Sequence, residues 1–273
     1  MDSDPLPSDV SRAVSRARDA GLLRCLAPRV LFFRSVDSTN GVAGTLDADA
    51  EGVVVVADTQ TAGRGRRGHT WFSPPGSGLY VSVVLTPGRA RRDADRATAL
   101  LTLSAGVALA EAIELETGMS PAIKWPNDLL IGTRKLAGIL AEGVSVAGST
   151  GPPSRVVLGY GINVGRMSYP PEVARVATSL GAELGRDVDR ATLLVATLVR
   201  LENRYLDLLE GRFGAILEDW RRRAPSHRGA CVRWETPSGD ETGVTDGIDE
   251  SGALLVRTRH GVERIASGAV RWD

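Results

Sequence analysis

The sequence predicts an α+β fold: a domain of interleaved strands and helices, followed by a small all-β domain. Three observations carry that prediction. Two β-rich runs, Gly52–Asp58 and Gly78–Thr86, flank a glycine- and arginine-rich stretch, as when an antiparallel sheet presents a loop on a rigid base. Two long helical patterns, from about Asp95 to Thr117 and from Asp189 to near Gly211, repeat apolar residues at helical spacing. After Ala224-Pro225-Ser226 the pattern becomes short β runs between glycine turns, which suits a small barrel-like domain. The resulting divisions are an N-terminal extension at 1–28, a main domain at 29–224 and a C-terminal domain at 225–273.

The 273 residues are 42% hydrophobic and carry a formal net charge of zero, which is ample for a large core plus a small second one. Neutrality argues against a surface devoted to nucleic acid or membrane. Cys25 and Cys231 lie far apart and form no CxxC, so they read as reduced, structural thiols of a cytoplasmic protein. His69, His227 and His260 are scattered, and no side-chain metal cluster is expected. No apolar run approaches about 18 residues and Asp and Pro open the chain, so neither a membrane-spanning helix nor a signal peptide is expected.

Taken in order, residues 1–7 are polar and proline-rich and are expected to fray. One short helix is expected from Ser8 to Leu23, capped by Ser8 or Asp9. Val10, Val14, Ala17 and Ala20 to Leu22 would lie on one side, with Arg12, Arg16 and Arg18 solvated. That is too little chain for a helix-turn-helix. Leu31-Phe-Phe is a short strand leading into Asp37-Ser-Thr-Asn40, whose polar groups either cap a helix start or face a polar ligand group there. Gly52–Asp58 reads as a strand buried on both faces. Arg89–Arg96 is a charged turn, and the helix after it stops at Gly118. Residues 122–146 are placed as two strands around a turn at Gly132–Thr133, with a loop over Val144–Ser154. Arg155–Gly165 is a strand whose Gly159 and Gly161 mark a close approach of ligand or backbone. A small helix falls within 170–183, and Asp189 caps the long helix. Phe213–Arg223 is helical, with Trp220 in the core, and β runs follow at 230–235, 241–248, 253–259 and 262–265.

Two stretches carry chemistry. Gln60-Thr-Ala-Gly-Arg-Gly-Arg-Arg-Gly-His-Thr-Trp-Phe-Ser-Pro74 sets Gly63, Gly65 and Gly68 among Arg64, Arg66 and Arg67. Glycine lets the backbone approach a ligand, and the guanidinium fork matches carboxylate or phosphate. The stretch is a cradle for an anion or a solvated basic turn. It lacks the Gly-Lys-Ser/Thr of a nucleotide P-loop. In Lys124-Trp-Pro-Asn-Asp128, Pro126 pins the backbone and Trp125 packs beneath. Lys124, Asn127 and Asp128 then point one way as donor, amide and carboxylate. Lys135 opens the apolar Lys-Leu-Ala-Gly-Ile-Leu. It either meets an anion, because a half-buried ammonium otherwise costs desolvation, or it marks a hairpin corner.

These motifs, with Asp37-Ser-Thr-Asn and Gly159-Tyr-Gly-Ile-Asn163, occur in the order and spacing of the biotin protein ligases, which the chain resembles over about residues 30–270. The resemblance extends to Gly247-Ile-Asp-Glu-Ser-Gly-Ala-Leu and Ile265-Ala-Ser-Gly, which are similar to that family's SH3-like barrel. It implies a mixed sheet with helices like that of class II aminoacyl-tRNA synthetases, plus the small C-terminal SH3-like β-barrel. It implies ATP with Mg²⁺, biotin as substrate, and a biotin carboxyl carrier protein or domain of a biotin-dependent carboxylase as partner. The repressor-type members' two-helix-plus-wing DNA-binding domain is not matched, so a monofunctional ligase, monomer or homodimer, is expected. His69 departs from many members, which carry a basic residue there, often arginine; that bears on how tightly the loop tip closes on phosphate.

By the same resemblance, Arg64 and Arg66 with the Gly65 backbone lie over the biotin carboxylate and the α-phosphate, and Lys135 bridges those atoms from below. Ser38, Thr39, Asn40 and Gln60 bond biotin's ureido ring or line its pocket. Lys124, Asn127 and Asp128 sit on the nucleotide side with Asn163. Asp128 either positions the metal or receives a proton from the incoming lysine. Three other readings are a lipoate- or octanoate-type ligase on the same fold, a biotin-responsive repressor, and a catalytically inert binding module.

Overall fold

Seven strands form one sheet: β1 (Val30–Val36), β2 (Val54–Gln60), β3 (Gly78–Leu85), β4 (Ala122–Lys124), β5 (Asp128–Ile131), β6 (Arg134–Val144) and β7 (Arg155–Asn163). They lie in the order β1-β2-β3-β7-β6-β5-β4. β1 runs parallel to β2 and every other pairing is antiparallel, so the sheet is mixed. The computed structural model describes residues 2–47, 49–144, 155–166, 169–236, 239–268 and 270–272. The loop expected at Val144–Ser154 lies, beyond Val144, outside the described residues.

The β-branched run of β2 is buried on both faces, as its composition predicts. Val54 and Val56 face one core with Leu79, Val81 and Val83. Val55 and Ala57 face a second, smaller core with Val84 and Val157. Helices α1 (Ser8–Asp19), α3 (Ala94–Thr117), α6 (Arg190–Leu209) and α7 (Phe213–Arg223) supply the larger core. The short α2 (Thr39–Gly44) contributes Ala43 to the smaller one. α4 (Pro171–Ala174) and α5 (Leu180–Leu184) follow the sheet's last strand.

The long helices start and stop where expected. Asp93 accepts from Arg96 N at the start of α3, and Gly118 ends it at φ 74°. Asp189 accepts from Thr192 N at the start of α6. α3 is long and apolar enough to cross a membrane by length and composition alone, but 67% of its most apolar window is buried inside the protein.

Three expectations are corrected. α1 ends at Asp19, and Pro7 occupies its cap position with no side-chain cap bond. Gly21 turns the chain at φ 70°, which leaves Leu22 exposed and buries Leu23. The first residues are not simply frayed: Asp4 N donates to Phe32 O at 2.8 Å, and the Asp4 carboxylate accepts from Arg34 N at 2.8 Å. Residues 122–144 hold three strands rather than two, because the chain also reverses at Trp125-Pro126-Asn127, where the Trp125–Pro126 peptide is cis.

Glu202, 1% exposed, holds the N-terminal extension by accepting from Arg24 N, Cys25 N and Leu26 N at 2.7, 3.1 and 2.9 Å. Glu202→Ala strands these donors, at a cost of about 3 kcal/mol. The expected drop in Tm is roughly 6–12 °C, and a wild-type melting curve would remove Glu202 from this role.

The C-terminal module comprises β8 (Arg228–Thr236), β9 (Gly239–Ile248), β10 (Leu254–Thr258), β11 (Gly261–Ile265) and β12 (Val270–Trp272). They form a five-stranded antiparallel sheet in the order β11-β10-β9-β8-β12. No pairing joins β11 to β12 among the described residues. The module docks on α3 through Gly252. Its φ is 81°, and an added Cβ would lie 2.6 Å from Leu103. Trp125 Nε1 donates to Gly252 O at 3.0 Å and ties the module to the β4–β5 turn.

Candidate active site

Ser38, Thr39, Asn40, Gln60, Arg64, Gly65, Arg66, Lys124, Asn127, Asp128 and Lys135 all line one cleft of about 270 Å³. Both chemical stretches therefore open onto the same space. Among the described lining residues are five cations, Arg64, Arg66, Arg67, Lys124 and Lys135, and one carboxylate, Asp128; Glu142, outside the lining, ion-pairs with Arg64 alone among them. Such an excess of cations is costly to assemble unless anions enter.

One wall is the start of α2. Ser38, Thr39 and Asn40 are buried at 7, 4 and 5% exposure. The Ser38 hydroxyl does not cap the helix; it accepts from Arg64 Nε at 3.3 Å. Thr39 N and Oγ1 both donate to Gln60 Oε1, at 2.9 and 3.1 Å, and Gln60 Nε2 donates to Ser73 Oγ at 2.9 Å. Ser82 Oγ lies 2.8 Å from Thr39 Oγ1 and 2.5 Å from Asn40 Oδ1. Asn40 Nδ2 in turn donates to Glu142 Oε2 at 2.6 Å. Glu142 also pairs with Arg64 Nη2 at 3.1 Å. This connected network presets which donors and acceptors remain for a polar ligand.

The glycines of β7 make room for these side chains. A Cβ at Gly159 would stand 2.0 Å from Asn40 Oδ1, and one at Gly161 would stand 2.4 Å from Trp71 Nε1. The close approach expected there is made by Asn40 and Trp71.

The loop over the cleft is held by Gly65 N to His69 O at 2.7 Å, and Arg67 takes a left-handed φ of 56° at its tip. Arg66 Nη1 donates to Asn127 Oδ1 at 3.3 Å. Asn127 is itself fixed on β6, donating through Nδ2 to Ile139 O at 2.8 Å. Burial pushes the Arg66 guanidinium below its usual pKa against the opposing pull of Asp128; arginine stays charged even so. Burial likewise pushes Lys124 down, with Asp128 opposing and Lys135 adding to the fall.

Lys135 Nζ pairs with Asp128 Oδ1 at 2.7 Å, the side chains being 34% and 24% exposed. Its ammonium lies 5.3 Å from the centroid of the Trp71 ring. The corner reading of Lys135 is thus half right: it follows the Gly132 turn, yet its ammonium faces the cleft. Asn163 is not among the lining residues. It is 4% exposed and donates to Thr178 O at 2.9 Å and Lys135 O at 3.5 Å, which fixes the strand start that bears Lys135.

Sequence reasoning missed Trp71, Ser82 and Glu142. Trp71 stands four residues after Arg67 and could have been found as the aromatic of an anion loop; the other two are ordinary strand residues with no local signal. Among the described residues, no three His, Cys, Asp or Glu side chains come together as a metal site.

A deep cationic cleft on a mixed sheet, roofed by a glycine-arginine loop, defines a cofactor-protein ligase of the biotin/lipoate type: residues 32–163 match the model of the Biotin/lipoate A/B protein ligase family. The chain is 34% identical over 240 residues to the biotin--[acetyl-CoA-carboxylase] ligase of Paracoccus denitrificans, covering 86% of this chain and 96% of that one. It is 38% identical over 222 residues to the bifunctional ligase/repressor BirA of Bacillus spizizenii, and that match covers 81% of this chain but spans only 66% of the relative's length. Among solved structures, the biotin protein ligase of Aquifex aeolicus in complex with biotin and ATP superimposes with a TM-score of 0.73 at 29% identity, covering 90% of this chain and 100% of that one. The chain belongs to the biotin protein ligase family.

Proposed function

We propose that this chain is an ATP-dependent biotin–protein ligase, which makes biotinyl-5′-AMP and pyrophosphate and then transfers biotin to a lysine of a carboxyl carrier protein. The observation that carries the reading is the convergence of Arg64, Arg66 and Lys135, from two separate segments, on one cleft. The Aquifex aeolicus relative, solved with biotin and ATP, supports the choice of substrates.

In the first step a biotin carboxylate oxygen attacks the α-phosphorus of ATP, and the bond to the departing pyrophosphate breaks. Two anions must meet, and fixed cations offset their repulsion and the charge that develops on the phosphoryl oxygens. Arg64, Arg66 and Lys135 take that role, with Lys124 and Asn127 toward the nucleotide. The Ser38–Thr39–Asn40–Gln60 network receives the polar ring of biotin. Asp128, the one carboxylate among the described lining residues, suits a Mg²⁺ that takes most of its oxygens from phosphates; the ion would offset phosphate charge. In the second step the carrier's lysine, as a neutral amine, attacks the anhydride carbonyl carbon. AMP leaves, and the amine's proton passes to Asp128 or to water. The loop excludes water, which would hydrolyse the anhydride. The proposed setting is the cytoplasm, in keeping with the free Cys25 and Cys231.

Incubation with ATP, Mg²⁺, biotin and a carrier domain, read by intact mass, tests the reading. One added biotinyl group that depends on ATP is the expected result. No mass change, or preferential attachment of lipoate in competition, would overturn it.

A further inference from the structure

We propose that Trp272, on an outer strand of the C-terminal sheet, is a positioning residue for Lys124, so that the module completes the nucleotide side of the cleft. The inference rests on the ligase reading above.

Lys124 Nζ lies 5.9 Å from the centroid of the Trp272 ring, within the range at which a ring face attracts an ammonium. Lys124 ends β4, a three-residue strand at the border of the large sheet, with only β5 as a neighbour. Its side chain is half-buried, and its ammonium makes no hydrogen bond or ion pair among the described residues. The indole face is what it meets. Asp128, its register partner on β5, is paired instead with Lys135.

The ring is held from its own side. β12 pairs with β8 through Val270↔Trp234, Arg271↔Arg233 and Trp272↔Val232. Arg271 Nη2 bonds Glu235 Oε1 at 3.1 Å beside it. Trp272 Nε1 is buried with no hydrogen-bond partner among the described residues, so no polar bond of its own orients the indole. Gly268 and Val270, from the same segment, line the cleft. Trp125, next to Lys124 in the chain, donates to Gly252 O of the module. Two neighbouring residues of the β4–β5 turn thus each meet the C-terminal module.

An aromatic face suits this task better than a carboxylate. It offsets part of the cost of burying the ammonium without bringing a formal negative charge. The three N–H donors of Lys124 stay free for phosphate oxygens, since the nearby Asp128 carboxylate is ion-paired with Lys135.

The test is biotin-dependent exchange of pyrophosphate into ATP by the full chain. Trp272→Leu is expected to raise KM for ATP about 3- to 10-fold, with KM for biotin unchanged. Trp272→Phe should restore most of the affinity, and Trp272→Leu should add nothing in a Lys124→Met background. If Trp272→Leu does not fold by thermal melting, Trp272→Met carries the test in its place, with the same rise in ATP KM expected and Trp272→Phe again keeping most of the affinity. An ATP KM that stays at the wild-type value, or that rises equally with Lys124 already removed, overturns the proposal while leaving the ligase reading intact. A wild-type chain with no exchange activity overturns both.

Discussion

Arg66→Ala is expected to slow formation of biotinyl-adenylate by about 10²–10³-fold, the usual cost of removing one donor aimed at transition-state charge. Arg66 is half-buried in a cleft with a single carboxylate among the described lining residues, where a fixed cation is worth more than in water. The bond its guanidinium makes, Nη1 to Asn127 Oδ1 at 3.3 Å, also joins the loop to the Lys124–Asp128 segment. Losing it should loosen the roof, so free biotinyl-adenylate should escape faster. Arg66→Lys should recover only part of the rate, because an ammonium cannot bridge two oxygens with a planar fork. Single-turnover kinetics with labelled ATP read both effects, and an unchanged rate would refute the role.

Lys135→Met should weaken biotin binding about 10- to 100-fold, the loss expected for one charge-assisted hydrogen bond. Lys135 offers an ammonium that holds Asp128 Oδ1 at 2.7 Å. Both side chains are partly exposed, so the pair itself contributes little to stability. The substitution should therefore change affinity far more than Tm. Titration calorimetry against biotin gives the first quantity and thermal unfolding the second. Wild-type affinity would take Lys135 out of the site.

Much of this arrangement was legible in the chain. Caps at Asp189 and Gly118 are local signals, and β-branched runs such as that of β2 announce a sheet covered on both sides. The two cationic stretches were readable because their residue types are expensive to place together without an anion. Other features are set by tertiary partners and leave no local trace. The reversal at Trp125–Asn127 turned an expected strand into two short ones, since Pro126 signals a pinned backbone but not the direction in which the chain leaves. Ser82 and Glu142 look like any alternating strand residues until α2 and the arginine loop are laid against them. Asn163 lies in its strand as expected, yet its amide faces Thr178 and Lys135 rather than the cleft. Trp272 lies in a different sheet from the lysine it faces, and no spacing rule connects them.

The contact between Asp4 and β1 bears on how these molecules meet one another. β1 is the outermost strand of its sheet and presents seven residues of backbone on that side, the kind of rim along which a foreign strand can zip. Asp4 occupies the middle of it through Phe32 and Arg34. The opposite rim, β4, is only three residues long and carries Trp272 against its last side chain. Association by adding strands would first have to evict one of these two guards.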